Sequence, residues 1–76
     1  MIIYYDSFSI LVINSTGRVR RIYTPFRVRC TNKIDDLEVN TSCFVDEVLE
    51  DEDEKLLYLI TGNLYPFNHF SITIKF

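Results

Sequence analysis

The chain has 76 residues, 47% of them hydrophobic, and a formal net charge of −3. A chain of this length makes one domain, and a core that small rarely supplies more than ~3–5 kcal/mol unaided. The composition excludes a disordered chain, and the longest uncharged apolar run, residues 8–13, is far too short to cross a bilayer.

A disulfide, a metal or a partner chain would supplement such a core. Residues 1–6 show neither a basic n-region nor a small-residue cleavage site, so a cytoplasmic protein with reduced thiols is expected. Cys30, Cys43 and His69 are too few to complete the four ligands of a structural zinc. Gly17 and Gly62 are the only glycines, so no phosphate-cradling loop can be built and no cofactor is expected. A partner chain remains as the extra source of stability.

Charge is unevenly distributed. Residues 18–33 carry Arg18, Arg20, Arg21, Arg27, Arg29 and Lys33 with no acid among them. Residues 46–54 carry Asp46, Glu47, Glu50, Asp51, Glu52, Asp53 and Glu54 with no base. The small net charge hides this asymmetry.

In chain order, residues 8–13 are β-branched and aromatic enough for a strand. Asn14-Ser15-Thr16-Gly17 follows, with Asn first and Gly fourth, as a type I turn prefers. Residues 18–23 partly alternate, so an N-terminal hairpin is expected within 1–24. Thr24-Pro25 interrupts it, because proline has no N–H to give a ladder. Phe26, Val28 and Cys30 then share one face, and Arg27 and Arg29 the other. If 18–23 paired with 26–31 around Pro25, Arg20 would stand opposite Arg29. Residues 31–42 are polar, with Leu37 and Val39 as anchors.

Residues 42–54 admit two readings. Phe44, Val45, Val48 and Leu49 are spaced as a helix face, with Thr41 or Ser42 as N-cap. The alternative is two strands joined by an acidic hairpin loop. The hairpin is favoured because a solvated loop spreads consecutive carboxylates better than a helix does. Residues 56–60 form a strand-length apolar run, and Thr61-Gly62-Asn63 turns. Residues 64–67 are interrupted by Pro66, and Asn68-His69 turns again. Residues 70–76 alternate, with Phe70, Ile72, Ile74 and Phe76 on one face.

Residues 26–72 carry a further pattern. A strand ends in Val28-Arg29-Cys30, and Leu37 precedes Asn40 by three in the frame Leu-Glu-Val-Asn-Thr-Ser-Cys-Phe-Val. Tyr58 and Ile60, the Gly62 turn, Tyr65 and a closing Phe70-Ser71-Ile72 follow. This resembles the small SH3-like barrels of uncharacterised bacterial and phage proteins. Asn40 stands where that family has glycine, and Asn also visits the left-handed region. Phe44 stands for the family's tyrosine. The resemblance implies a fold and no activity. The expected architecture is mostly β: a single domain with a small antiparallel SH3-like barrel over 26–76 and an added N-terminal β-hairpin over 1–24.

Three functions compete. The first is a small interaction module that binds a protein partner or itself through complementary patches. The basic patch is Arg18, Arg20, Arg27 and Arg29; the acidic one is Glu50, Asp51, Glu52 and Asp53. The second is nucleic-acid binding through the basic face 18–33, with Tyr4, Tyr5, Tyr23 or Tyr65 exposed to stack on bases. The third is a small enzyme joining Cys43 or His69 to a carboxylate, for which no catalytic signature is present. No metal site is expected. Asp51 and Asp53 alternate as calcium ligands do, but Lys55 falls on the third ligand position. The glycosylation-spaced Asn14-Ser15-Thr16 and Asn40-Thr41-Ser42 fall where polar turns are expected.

Overall fold

The computed structural model describes residues 2–74. The strands form three three-stranded antiparallel sheets, none of which closes into a barrel. The first sheet contains β1 (Ile2–Asp6), β2 (Ser9–Ile13) and β3 (Val19–Tyr23), in that order. The expected hairpin is present in β2 and β3, running from Ser9↔Tyr23 to Ile13↔Val19. The expectation missed β1, which makes the hairpin a three-stranded meander.

The chain then leaves this sheet. Thr24 N–H still donates to the Phe8 carbonyl (2.9 Å), and Pro25 has no N–H with which to continue. β4 (Phe26–Cys30) therefore does not fold back on β3, and Arg20 does not face Arg29, contrary to the sequence expectation. Instead β4 is the central strand of the second sheet, between β5 (Ser42–Val45) and β9 (Phe70–Ile72). Its alternation reads directly as burial: Phe26, Val28 and Cys30 are inside, Arg27 and Arg29 outside.

The third sheet contains β6 (Glu47–Glu50), β7 (Leu56–Ile60) and β8 (Asn63–Pro66). β5 and β6 are two arms of one bent chain. Val45 pairs with Phe26 of β4, whereas the N–H of Asp46 donates to the Leu59 carbonyl of β7 (2.8 Å). At this corner the inward phase slips by one residue, from Cys43 and Val45 to Val48. The slip produces the three-residue spacing that imitates a helix face. Residues 42–54 are thus strands and an acidic hairpin loop, with no helix.

One core joins all three sheets. Ile10 from β2, Val28 and Val45 from the second sheet, and Tyr58 from the third are essentially fully buried together. Full burial of such side chains is worth about 1.5–3 kcal/mol each. Aromatic edges bridge the second and third sheets. Phe26 meets Tyr58 at 5.7 Å and 85°, Tyr58 meets Phe70 at 6.0 Å, and Phe70 meets Tyr65 at 6.0 Å and 72°. Tyr65, expected to be exposed, therefore belongs to the core. Val39, expected to anchor its loop, is half exposed, and Leu37 does that work by bridging to Ile34. Phe76 lies outside the described residues.

Two hairpin loops share one geometry. In residues 14–18 the N–H of Asn14 donates to the Arg18 carbonyl (3.0 Å) and the N–H of Gly17 to the Asn14 carbonyl (3.1 Å). Asn14 Oδ1 accepts from the N–H groups of Thr16 and Arg18. In residues 51–55 Asp51 plays the part of Asn14. Its N–H donates to the Lys55 carbonyl (2.9 Å), and its Oδ1 accepts from the N–H groups of Asp53 and Lys55. The fourth position is left-handed in both, Gly17 at φ 86° and Glu54 at φ 62°. The β7–β8 turn, Thr61-Gly62, is left-handed at both residues, φ 50° and 79°. A two-residue hairpin with that geometry favours Asn-Gly.

Three expectations are measurable. Glu54→Gly and Thr61→Asn each relieve a left-handed residue and are expected to stabilise the domain by about 1 kcal/mol in urea unfolding. Asp51→Ala is expected to destabilise it by a similar ~1 kcal/mol through loss of two turn hydrogen bonds. Burial pushes the Tyr58 hydroxyl from 10.0 up to about 12. The native state therefore favours the neutral phenol. Its contribution is complete below the unfolded value and is lost as pH rises through the folded one. Urea midpoints of Tyr58→Phe should fall less than those of the wild type between pH 10 and about 12.

Candidate interaction surfaces

The basic residues are divided between two sheets. Arg18 follows the β2–β3 turn, Arg20 lies on β3 opposite Val12, and Arg27 and Arg29 stand on the outer face of another sheet. Arg21 is committed locally. Its guanidinium donates to Ser9 Oγ (2.8 Å), lies 3.9 Å from Asp6 Oδ2 and stands 5.7 Å from the Tyr4 ring. Ser9, the buried polar residue of β2, in turn donates to Asp6 Oδ1 (3.0 Å). Lys33 pairs with Glu38 at 3.2 Å.

The acidic residues are brought together, but they are not equivalent. Asp51 is consumed by its turn, as described above. Glu50 accepts a hydrogen bond from the Tyr5 hydroxyl, which raises that phenol's pKa. Glu52, Asp53 and Glu54 remain exposed at the loop tip.

Beside this loop lies an apolar depression of about 790 Å³ lined by Ile2, Tyr4, Tyr5, Glu54, Lys55, Leu56 and Phe67. A second, of about 360 Å³, runs from Ile2 and Phe67 past Tyr58, Phe70 and Ile72 to Val12, Ile13 and Asn14. Because Ile2 and Phe67 line both, the two form one strip from the acidic β6–β7 loop to the β2–β3 turn. Phe67 opens the short 3-10 helix Phe67–His69 that links β8 to β9, and it is 40% exposed. The strip went unread in the sequence because it joins residues from both ends of the chain.

Cys30 and His69 are fastened to the same atom. The Cys30 thiol and His69 Nδ1–H both donate to the Asn32 carbonyl, each at 3.1 Å. The N–H of Thr31 donates back to the His69 carbonyl (2.8 Å). The His69 side chain and carbonyl thus tie the β4–β5 loop to the 3-10 helix, and the Cys30 thiol braces the loop internally. Cys43 is buried on β5, and burial pushes its thiol up. Among the described residues, no three His, Cys, Asp or Glu side chains are grouped to hold a metal ion, and no helix is long and apolar enough to cross a membrane. No known protein family, curated protein or solved structure matches the chain.

Asp6 provides a test of the outer network. The N–H of Phe8 donates to Asp6 Oδ1 (2.9 Å), and with help from Ser9 and Arg21 this holds the carboxyl below its ordinary 3.8. The resulting stabilisation is complete above 3.8 and is lost as pH falls through the lower folded value. Asp6→Asn should therefore show a flatter acid limb than the wild type in thermal melts followed against pH.

Proposed function

We propose that the protein is a small interaction module with an SH3-like arrangement of strands, and that it acts by associating with a second copy of itself. The strand order supports the SH3-like reading. A bent strand (β5 and β6) serves two packed sheets, and a 3-10 turn precedes the closing strand β9. Corners of this kind, where one strand switches sheets, occur in orthogonally packed β structures. The first sheet is then an addition that shares the core.

The observation that carries the self-association reading is the charge at the two ends of the apolar strip. One end meets the loop bearing Glu52, Asp53 and Glu54; the other meets the turn leading to Arg18, with Arg20 beside Val12. A two-fold axis through the strip would lay apolar surface on apolar surface. It would also bring each copy's arginines to the other's carboxylates. Such a self-complementary patch is what a closed dimer requires. Burial of the exposed Tyr4 and Phe67 would supplement a core limited by chain length.

Sedimentation velocity over a concentration series tests this. The wild type should pass from monomer to dimer and shift towards monomer as salt rises. Phe67→Ser should weaken the dimer at least about tenfold, or ~1.4 kcal/mol. Arg18→Glu with Arg20→Glu, and separately Glu52→Lys with Asp53→Lys, should each be monomeric alone and dimerise when mixed. A wild type that stays monomeric at every concentration and salt level overturns the proposal.

A further inference from the structure

The outer face of the β5-β4-β9 sheet borders the apolar strip, since Ser71, Ile72 and Ile74 line depressions of both, but it carries different chemistry. β4 projects Arg27 and Arg29 outward, both exposed, two residues apart and so roughly 7 Å apart along the strand. Their cross-strand neighbours are uncharged. Arg27 stands opposite Phe44, and Arg29 lies between Ser42 on β5 and Ser71 on β9. The N–H of Thr73 donates to the Arg27 carbonyl (3.2 Å), which continues the face by one more hydroxyl residue. An open depression of about 450 Å³ is lined by these two arginines, Ser42, Ser71, Thr73, Ile72 and Ile74. Among the described residues, no carboxylate lines it. Neither arginine has a carboxylate within ion-pair distance among the described residues; the bridges of this region belong to Arg21 and Lys33.

Two guanidinium groups on one side of a strand raise the local positive potential, which attracts an anion. Asp46 lies beyond Phe44, where it lines a neighbouring depression with Phe44 and Ser42, and it forms no ion pair with either arginine among the described residues. We infer that this face binds the phosphate backbone of single-stranded nucleic acid. The guanidinium forks of Arg27 and Arg29 contact successive phosphates, Ser42, Ser71 and Thr73 supply hydroxyl donors, and Phe44 gives a base a ring to stack on. Guanidinium is suited to this role because its planar fork donates to two phosphate oxygens at once. Phe44 is 58% exposed directly across from Arg27. Stacking on such a ring tolerates any base, so the site reads backbone and ring and no particular sequence. The carboxylates of an acidic peptide would also satisfy the arginines and hydroxyls, but polyglutamate carries no ring to stack on Phe44.

Fluorescence anisotropy with labelled oligothymidylate and oligouridylate of about 12 nucleotides, within the site sizes known for such grooves, tests the inference. The two probes distinguish DNA from RNA as the source of the same phosphodiester. Binding is expected at low salt, with a slope of log K against log salt of about −1.4 for two phosphates on a single strand. Arg27→Gln with Arg29→Gln should lose at least about tenfold in affinity, and Phe44→Ser about tenfold. Lys33→Gln should match the wild type, because that lysine lies outside the face. Phe67→Ser should also match it, which separates this site from self-association. The inference is overturned by absence of binding at low salt, by a loss in Lys33→Gln as large as in the double variant, or by equal affinity for a polyglutamate peptide of the same charge.

Discussion

A corner at Asp46 lets one chain segment belong to two sheets. Up to Val45 the segment pairs with β4; from Asp46 onward it pairs with β7. The bend turns the inner faces of both sheets towards each other. Val45 and Val48 can then both be buried although they are three residues apart, a spacing a straight strand would place on opposite faces. The aromatic contacts from Phe26 through Tyr58 and Phe70 to Tyr65 depend on it, because those rings come alternately from the two sheets so formed. Remove the corner and a flat sheet remains with its apolar face uncovered.

The N-terminal sheet completes what the corner begins. Ile10 reaches into the same core as Val28 and Tyr58. The N–H of Val48, facing away from β7, donates to the Ser7 carbonyl (2.8 Å), so the β1–β2 turn covers an otherwise free edge of β6. Free strand edges invite unwanted pairing, and covering one with a turn is a common remedy. The same docking leaves a seam between the first sheet, the acidic loop and Phe67. The apolar strip is thus a by-product of how the extra sheet attaches. Its opposite charges at the two ends come from the two hairpin loops that flank it.

Those loops show how charge and backbone geometry interact. Asn14-Ser15-Thr16-Gly17-Arg18 and Asp51-Glu52-Asp53-Glu54-Lys55 share no identical residue, yet they adopt one five-residue conformation. Each is organised by a first-position side-chain oxygen that accepts two backbone N–H groups. Asp51 is therefore a turn former as well as an acid. Glu54 occupies a left-handed position that Gly17 fills more easily.

Local alternation was enough to assign β3, β4, β9 and the buried face of β4, because period-two burial is written in adjacent residues, and apolar or β-branched runs of strand length marked β2 and β7. The turns at Gly17 and Gly62 were legible for a similar reason: Asn and Gly mark positive φ. Asn40, read as able to replace a glycine, does adopt φ 75°. Tertiary structure alone decided which strands pair, since any two alternating segments satisfy the same local rule. It separated Arg20 from Arg29 by ending the β3 ladder at Pro25. It turned Tyr65 inward and made a strand corner of a spacing that imitates a helix. It also brought Ile2 beside Phe67 across nearly the whole chain. A sequence specifies which faces are apolar, but the partner that covers each face is settled by packing among segments far apart in the chain.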